Sequence, residues 1–262
     1  MTLGKACVDV IVPVFNGRDT IVQALQSALA QEGKLVDRII VVDDGSTDGT
    51  ASVVAAIGSE KIHLISTKNN GVAAARNLGI DQSSAQWVAF LDADDLWEKH
   101  KLHTQLLAAA ETNSGFVCGS VNGEPSGPSG PISAYTLWRG NFVATSSVLV
   151  KREVLMQVAP VFSLDMNFAE DYLAWLKCLT LTGGYYVSSN LATYILSARP
   201  RYNWGQILKN LIMLNIAFLR FVWRTHCGPS KKILLPALLL AGSAVSIISI
   251  SKRFLRSRCL SA

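Results

Sequence analysis

WVAFLDADDLW, residues 87–97, sets an apolar run directly against three carboxylates. Trp87 to Leu91 reads as a buried central strand, because a short apolar run closed by polar residues suits a parallel strand covered on both faces. Asp92, Asp94 and Asp95 then stand at its carboxyl end, the edge of an open α/β sheet where ligands bind. Three acids within four positions repel one another unless a cation or hydrogen-bond donors satisfy them. One reading is a divalent metal site for Mg²⁺ or Mn²⁺, ions that keep waters and use one or two carboxylates plus substrate phosphates. The other is a solvated acidic turn that caps a helix over 96–110, where acids favour the N-terminal dipole. The triplet alone leaves both open.

Upstream, the chain repeats the same grammar. VDVIVPV (residues 8–14) predicts a first strand that ends in a loop of Phe15, Asn16 and Gly17. Asp19 is positioned to cap a helix over 20–31, with Ile21, Leu25 and Leu29 at helical spacing. RIIVV (38–42) runs into DDGSTDGT (43–50), followed by a helix over 51–57. Residues 62–66 form a third strand, and Asn69-Asn70-Gly71 turns into a helix over 72–81. This βαβαβαβ alternation predicts a parallel, doubly wound sheet with right-handed crossovers. Every polar cluster falls at one sheet edge.

VIVPVFNG, VVDDGSTDGT, NNGVAAARNLG and FLDADDLW, in this order over residues 10–97, resemble the nucleotide-sugar-binding half of the inverting family 2 glycosyltransferases. The resemblance implies a GT-A fold: a Rossmann-like, mixed, mainly parallel sheet flanked by helices. It implies that Pro13, Val14, Phe15 and Asn16 lie along the nucleoside and that Asp44 accepts a hydrogen bond from the base. Arg76 would approach the nucleotide, Asp92 the ribose or the metal, and Asp94 would help hold Mg²⁺ or Mn²⁺ on the diphosphate, with Asp95 grouped among the nucleotide-site residues. Roles and chemistry agree: an Asp at a strand end is a fixed acceptor, and Arg offers a fork suited to phosphate oxygens. Other readings stand beside these, with Asp48 only holding its turn and Arg76 a helix-surface residue paired with Asp81 or solvent.

Downstream, residues 115–119 read as a strand, 121–131 as a Gly/Pro/Ser-rich loop, 141–150 as a strand and 151–158 as a helix. FAEDYLAWLKC (168–178) places Glu170 and Asp171 ahead of a helix whose Leu173, Leu176 and Leu179 face inward. By the resemblance Asp171 matches the catalytic base and Glu170 its neighbour, a second contact to the acceptor. The alternative is a pair of acids stabilised by the helix dipole. Where many relatives carry Arg after the Trp, this chain has Lys177, and no Gln-x-x-Arg-Trp motif follows, which argues for one sugar per encounter. His100 and His103 lack a third ligand nearby, so they are read as solvated helix residues.

Charge is distributed unevenly. Eleven of the 24 Lys and Arg and none of the 19 Asp and Glu lie after residue 198, which leaves residues 1–198 with thirteen basic against nineteen acidic side chains, a net of −6. An acidic body joined to a basic, apolar tail points to an anionic membrane surface and away from nucleic acid. Five scattered cysteines without a CxxC spacing suggest neither a disulfide framework nor a zinc site, and fit a reducing cytosol. Residues 1–9 lack the apolar core of a secretory signal. Residues 206–224 predict an amphipathic helix for a membrane interface, and the uncharged stretch 233–250 spans about 27 Å as a helix, barely a hydrocarbon core. Basic residues flank it on both sides, so interfacial or re-entrant anchoring at the cytoplasmic face ranks ahead of a single span.

The expected organisation is a nucleotide-sugar-binding half (1–112), an acceptor-binding half with the base (113–198) and a helical membrane-associating segment (199–262). The expected activity is transfer of one sugar from a nucleoside-diphosphate sugar, with UDP the leaning, to a lipid-linked saccharide acceptor. Two rivals are a non-catalytic membrane-bound nucleotide-sugar-binding subunit, which need not keep Asp171, and a nucleotidyltransferase, which would show a Gly-rich loop with Arg and Lys where this chain has PVFNGRD.

Overall fold

Seven consecutive buried residues make β1 (Val8–Val14), and burial on both faces is what a central parallel strand requires. Its neighbours are β2 (Val36–Asp43) and β4 (Trp87–Phe90), both parallel to it, with β3 (Ile62–Ser66) parallel to β2. Between them run α1 (Ile21–Leu29), α2 (Thr50–Ala56) and α3 (Val72–Gln82). The computed structural model describes residues 8–124, 126–166, 169–195, 212–218 and 220–222. The predicted apolar stretch at 233–250, most of the basic tail and Phe168 lie outside them.

The second half completes a mixed sheet. After β5 (Asp95–Trp97) and α4 (Lys101–Thr112) come β6 (Phe116–Val121), β7 (Gly130–Ile132), α5 (Ala134–Trp138), a 3₁₀ turn at Thr145–Ser147 and β8 (Leu149–Lys151). They are followed by α6 (Arg152–Gln157), α7 (Glu170–Leu181) and β9 (Gly184–Tyr194). The order is β3-β2-β1-β4-β8-β6-β9-β5, with β7 also on β9. Although β5 follows β4 almost at once in the chain, it pairs with β9 and so lies four places from β4 in this order. The Asp95 N–H donates to the Asp92 carbonyl at 3.0 Å, a turn that limits the reach from Phe90 to Asp95 to roughly 14 Å. A flat sheet would need about 19 Å. The sheet is therefore curled, and β5 returns toward α1, where the Trp97 N–H meets Ser27 Oγ at 3.0 Å.

Several local expectations are corrected by long-range pairing. The helix predicted over 96–110 begins only at Lys101, because Asp95 to Trp97 pair with Tyr194 to Ala192, so the acidic turn caps no helix. Residues 141–150 are mostly loop and 3₁₀ turn, with strand only from Leu149, and Gly130 and Pro131 of the predicted loop pair, with Ile132, to β9. Thr20, not Asp19, is the N-cap of α1, and no side chain caps it. Helical residues 212–218 pack part of their apolar face on the body: Leu214 and Phe218 are buried, and Phe218 stacks on Trp138 at 5.0 Å between ring centroids. Ile212 and Ile216 remain exposed. Among the described residues no helix is long and apolar enough to cross a membrane.

Two packed layers flank the sheet. Val8, Val10, Val12 and Val14 point with Trp87 and Leu91 toward α1 and α4, while Ile11 and Phe90 point toward α3 and α7. On that second side Phe90, Phe162 and Trp175 meet at 5.3–5.6 Å between centroids, and Tyr172 Oη donates toward the carbonyls of Leu137 and Trp138. Gly79 lets α3 lie against β1: a Cβ there would be 2.5 Å from Ile11 Cγ2. Arg76, one turn earlier on the same stripe, is thereby turned inward.

Candidate active site

Register brings the polar ends of β1, β2 and β4 together. Val14 pairs with Asp43, the Asp44 N–H donates to the Val14 carbonyl at 2.8 Å, and the Leu91 N–H donates to that of Ile11 at 3.0 Å. The loops after β1 and β2 are stitched to each other. Asn16 N–H donates to Ser46 Oγ and Thr47 N–H to Asn16 Oδ1, both at 2.8 Å. Asn16 holds φ at 51°, the left-handed region that Asn tolerates better than most residues. Asp48 accepts from Arg18 N–H, Thr50 N–H and Thr50 Oγ1, bonds that hold its carboxyl below the usual range. Its place in the fold is that of a turn-holding residue.

Pro13, Val14, Phe15, Asn16, Arg76, Asp92 and Asp94 line one cleft of about 440 Å³. Phe15 is half exposed on its rim. Asp44 is buried next to Val14 and off the lining; its carboxylate accepts from Asn70 N–H (2.9 Å), Gly71 N–H (2.8 Å) and Thr67 Oγ1 (3.2 Å). It thus shapes the 67–71 loop that leads into α3.

Arg76 is the centre of charge. It is buried, contrary to a surface helix position, and spans two elements: Nη2 to Asp92 Oδ1 at 2.7 Å and Nη1 to Glu170 Oε1 at 3.1 Å, with its guanidinium 5.3 Å from the Phe162 ring centroid. Its Nε is buried without a hydrogen-bond partner among the described residues. Asp92, Glu170 and Asp171 surround it and raise its pKa despite burial. Glu170 is itself pushed up, chiefly by burial and then by Asp171, while Arg76 pulls the other way. Asp171, in the first turn of α7, accepts from Thr145 Oγ1 at 3.1 Å and from Tyr172 N–H at 2.6 Å. Ala169, just ahead, has φ at 63°.

The three acids of the turn are separated by protein donors. Arg76 holds Asp92. Asp95 is buried on the far side, where Ser146 Oγ donates to it while accepting from Asp92 N–H at 3.1 Å. Burial pushes the Asp95 carboxyl up to about 8. Asp95 therefore does not reach the cleft with Asp92 and Asp94. Among the described residues no three His, Cys, Asp or Glu side chains converge as a ready-made metal cage. Mg²⁺ needs only one or two carboxylates beside substrate phosphates, and Asp94 with the second oxygen of Asp92 on the cleft wall fits that lesser demand.

The 3₁₀ turn at Thr145–Ser147 matches no motif in the sequence, yet it joins the acidic turn after β4 to α7. Thr145 meets Asp171, Ser146 meets Asp92 and Asp95, and the Ser147 carbonyl accepts from Gln105 Nε2 at 2.8 Å. Gln105 in turn accepts from the buried Lys101, whose Nζ stands 4.1 Å from the Trp97 ring centroid. A TSS triplet followed by a strand-like run is the only hint the sequence contains.

Residues 9–158 match the family model described as Glycosyl transferase family 2. The succinoglycan biosynthesis protein ExoO of Rhizobium meliloti is 43% identical over 97 residues, 37% of this chain and 28% of that protein. Other relatives, 40–41% identical over 107–119 residues, are spanned over 16–47% of their length. WfaP of Escherichia coli, a UDP-Glc:alpha-D-GlcNAc-diphosphoundecaprenol beta-1,3-glucosyltransferase, is 31% identical over 185 residues, 66% of this chain and 70% of that protein. Among solved structures, TarS 1–349 of S. aureus in complex with UDP-GlcNAc superposes with a TM-score of 0.69 at 18% identity, over 86% of this chain and 69% of that one. At that identity the likeness shows the fold, which is GT-A.

Proposed function

Because the chain belongs to glycosyl transferase family 2, we propose that it is an inverting glycosyltransferase that moves one sugar from a UDP-sugar to a hydroxyl of a lipid-linked saccharide at the cytoplasmic face of a membrane. The observation that carries this reading is the bridge Asp92–Arg76–Glu170, with Asp171 next in the chain. It draws a cleft at the strand ends and a carboxylate pair on α7 to one point, as a single displacement requires. The names of WfaP and ExoO support the acceptor class and the setting in polysaccharide synthesis.

In this reading Pro13 to Asn16 line the nucleoside, Asp44 orders the loop beside the base, and Arg76 presents a buried positive charge to the nucleotide. The acceptor oxygen forms its bond to the anomeric carbon as the bond from that carbon to the diphosphate breaks, and the electron pair leaves on the diphosphate. The Asp171 carboxylate receives the acceptor proton, with Thr145 fixing its orientation. Configuration inverts and no sugar–enzyme bond forms. Asp94, with Asp92, would hold Mg²⁺ or Mn²⁺, which when bound supplies positive charge beside the leaving group.

The test is nucleoside-diphosphate release by the full chain in membranes, given Mg²⁺ or Mn²⁺, a panel of nucleoside-diphosphate sugars and lipid extract, comparing wild type with Asp171→Asn. Release with one donor, lost in the variant while donor binding persists, is the expected outcome. Equal donor binding without turnover by either protein would favour a non-catalytic nucleotide-sugar-binding subunit.

A further inference from the structure

Three clefts follow one another along the face formed by α3 and α7. The donor cleft ends at Val72 and Arg76. A second, of about 180 Å³, shares Val72 and is bounded by Leu164, Met166 and Glu170. A third, of about 540 Å³, shares Leu164 and lies between residues 157–165, α7 and the helical Ala217, Arg220 and Phe221. The two shared side chains are 43% and 63% exposed, so they stand as low sills between the clefts and not as walls.

The helix α7 sets the scale of this trough. Glu170, Leu173 and Lys177 fall on one stripe at i, i+3 and i+7; Glu170 borders the second cleft, and Leu173 and Lys177 border the third. Seven residues of helix separate the positions of Glu170 and Lys177 by about 10.5 Å along its axis, room for a short saccharide. At the far end, Lys177 Nζ lies 3.4 Å from the Pro160 carbonyl oxygen and 5.8 Å from the Phe221 ring centroid. Arg220 lies exposed on the same cleft and makes no ion pair among the described residues. Among the described residues Asp165 is the one acid lining it and pairs with neither cation. Burial lowers the pKa of Lys177, and an arriving anion would hold its proton in place.

We propose that this third cleft holds the diphosphate of a lipid-diphosphate-linked saccharide, Lys177 and Arg220 meeting its phosphate oxygens while the saccharide lies back over Leu164 toward Glu170 and Asp171. The inference rests on the transferase reading for the direction of the saccharide. It also gives a task to Lys177, which the displacement step does not use. The exposed Leu164 and the Phe221 ring offer the lipid chain an apolar exit.

The experiment uses the full chain and two synthetic acceptors with the same saccharide, one on a polyprenyl diphosphate and one on a phosphate-free alkyl chain. In Lys177→Met/Arg220→Gln the wild-type preference for the diphosphate acceptor, read as the ratio of the two kcat/KM values, falls about tenfold or more, mainly through KM, as loss of charge-assisted bonds to phosphate requires. Lys177→Arg restores most of it. An unchanged ratio, including equal loss on both acceptors, overturns the proposal. So does a loss confined to binding of phosphatidylglycerol vesicles, which would assign the cations to a headgroup. Equilibrium binding of a polyprenyl diphosphate to Asp171→Asn, with and without the two substitutions, reads the cleft without turnover. Weaker binding in the substituted protein upholds the site even if no donor is ever transferred, and equal binding rejects it.

Discussion

The two walls of the active-site cleft are built by different means. On the donor wall the loops after β1 and β2 hold each other: Asn16, Gly17 and Arg18 exchange bonds with Ser46, Thr47, Asp48 and Thr50, between segments that already sit side by side on paired strands. On the acceptor wall Glu170 and Asp171 take their positions from partners that no strand pairing sets beside them, Arg76 on α3 and Thr145 in the 3₁₀ turn. The donor wall is thus organised by its own sheet. The acceptor wall depends on how α7 and the Thr145–Ser147 turn dock against it.

The sharpest division between the walls is expected from Asp171→Asn. Removing a general base costs about 10²–10⁴ in kcat, and with the donor wall independent the donor dissociation constant should stay unchanged. Calorimetric titration with the donor beside turnover measures both, and a parallel loss of donor affinity would break the comparison.

Arg76→Leu should erase the division, because this one guanidinium belongs to both walls. It leaves Asp92 and Glu170 facing each other without their cation, and loss of one partner from a buried pair costs about 3–5 kcal/mol. Urea unfolding should show that loss, with donor KM and kcat both impaired. Unchanged stability would mean that the bridge is incidental.

A smaller effect, of about 1–3 kcal/mol, is expected from Ser146→Ala, which leaves the Asp92 N–H and the buried Asp95 carboxyl without their hydroxyl partner. If the turn positions the acidic loop, kcat should fall more than saccharide affinity, and Ser146→Thr should recover part of it.

The effect of Asp95→Asn is expected in the pH dependence of stability. Folded Asp95 keeps its proton up to about 8, whereas the unfolded chain releases it near pH 4. The folded state binds the extra proton in that window, so this group makes stability fall as pH rises from about 4 to 8. Asn cannot ionise, so the variant should be more stable than wild type above pH 8, approach it below pH 4 and show a flatter profile between. Unfolding midpoints across that range measure it.

How legible each wall was in the sequence follows the same division. The span of β1 is visible because a continuous apolar run is a local pattern, and those of β3 and α3 because the turn-forming Asn69, Asn70 and Gly71 divide them. Asp95 marks where this fails. It adjoins Asp94, yet a single turn places one on the cleft and buries the other, and no composition rule distinguishes two neighbouring aspartates. Arg76 fails likewise. Its charge suggests solvent, but its stripe is set by Gly79 approaching Ile11 and by two carboxylates that arrive from β4 and α7.

The sequence by itself determined that parallel strands would end together in a row of polar loops, since alternating apolar runs and turn residues act over a few positions and leave little choice of local structure. Only the tertiary structure decided which carboxylates meet and what holds them. The curl that carries β5 to β9, the inward Arg76 and the Thr145–Ser147 turn all arise from contacts between distant segments, whose free energy appears only when both partners are in place.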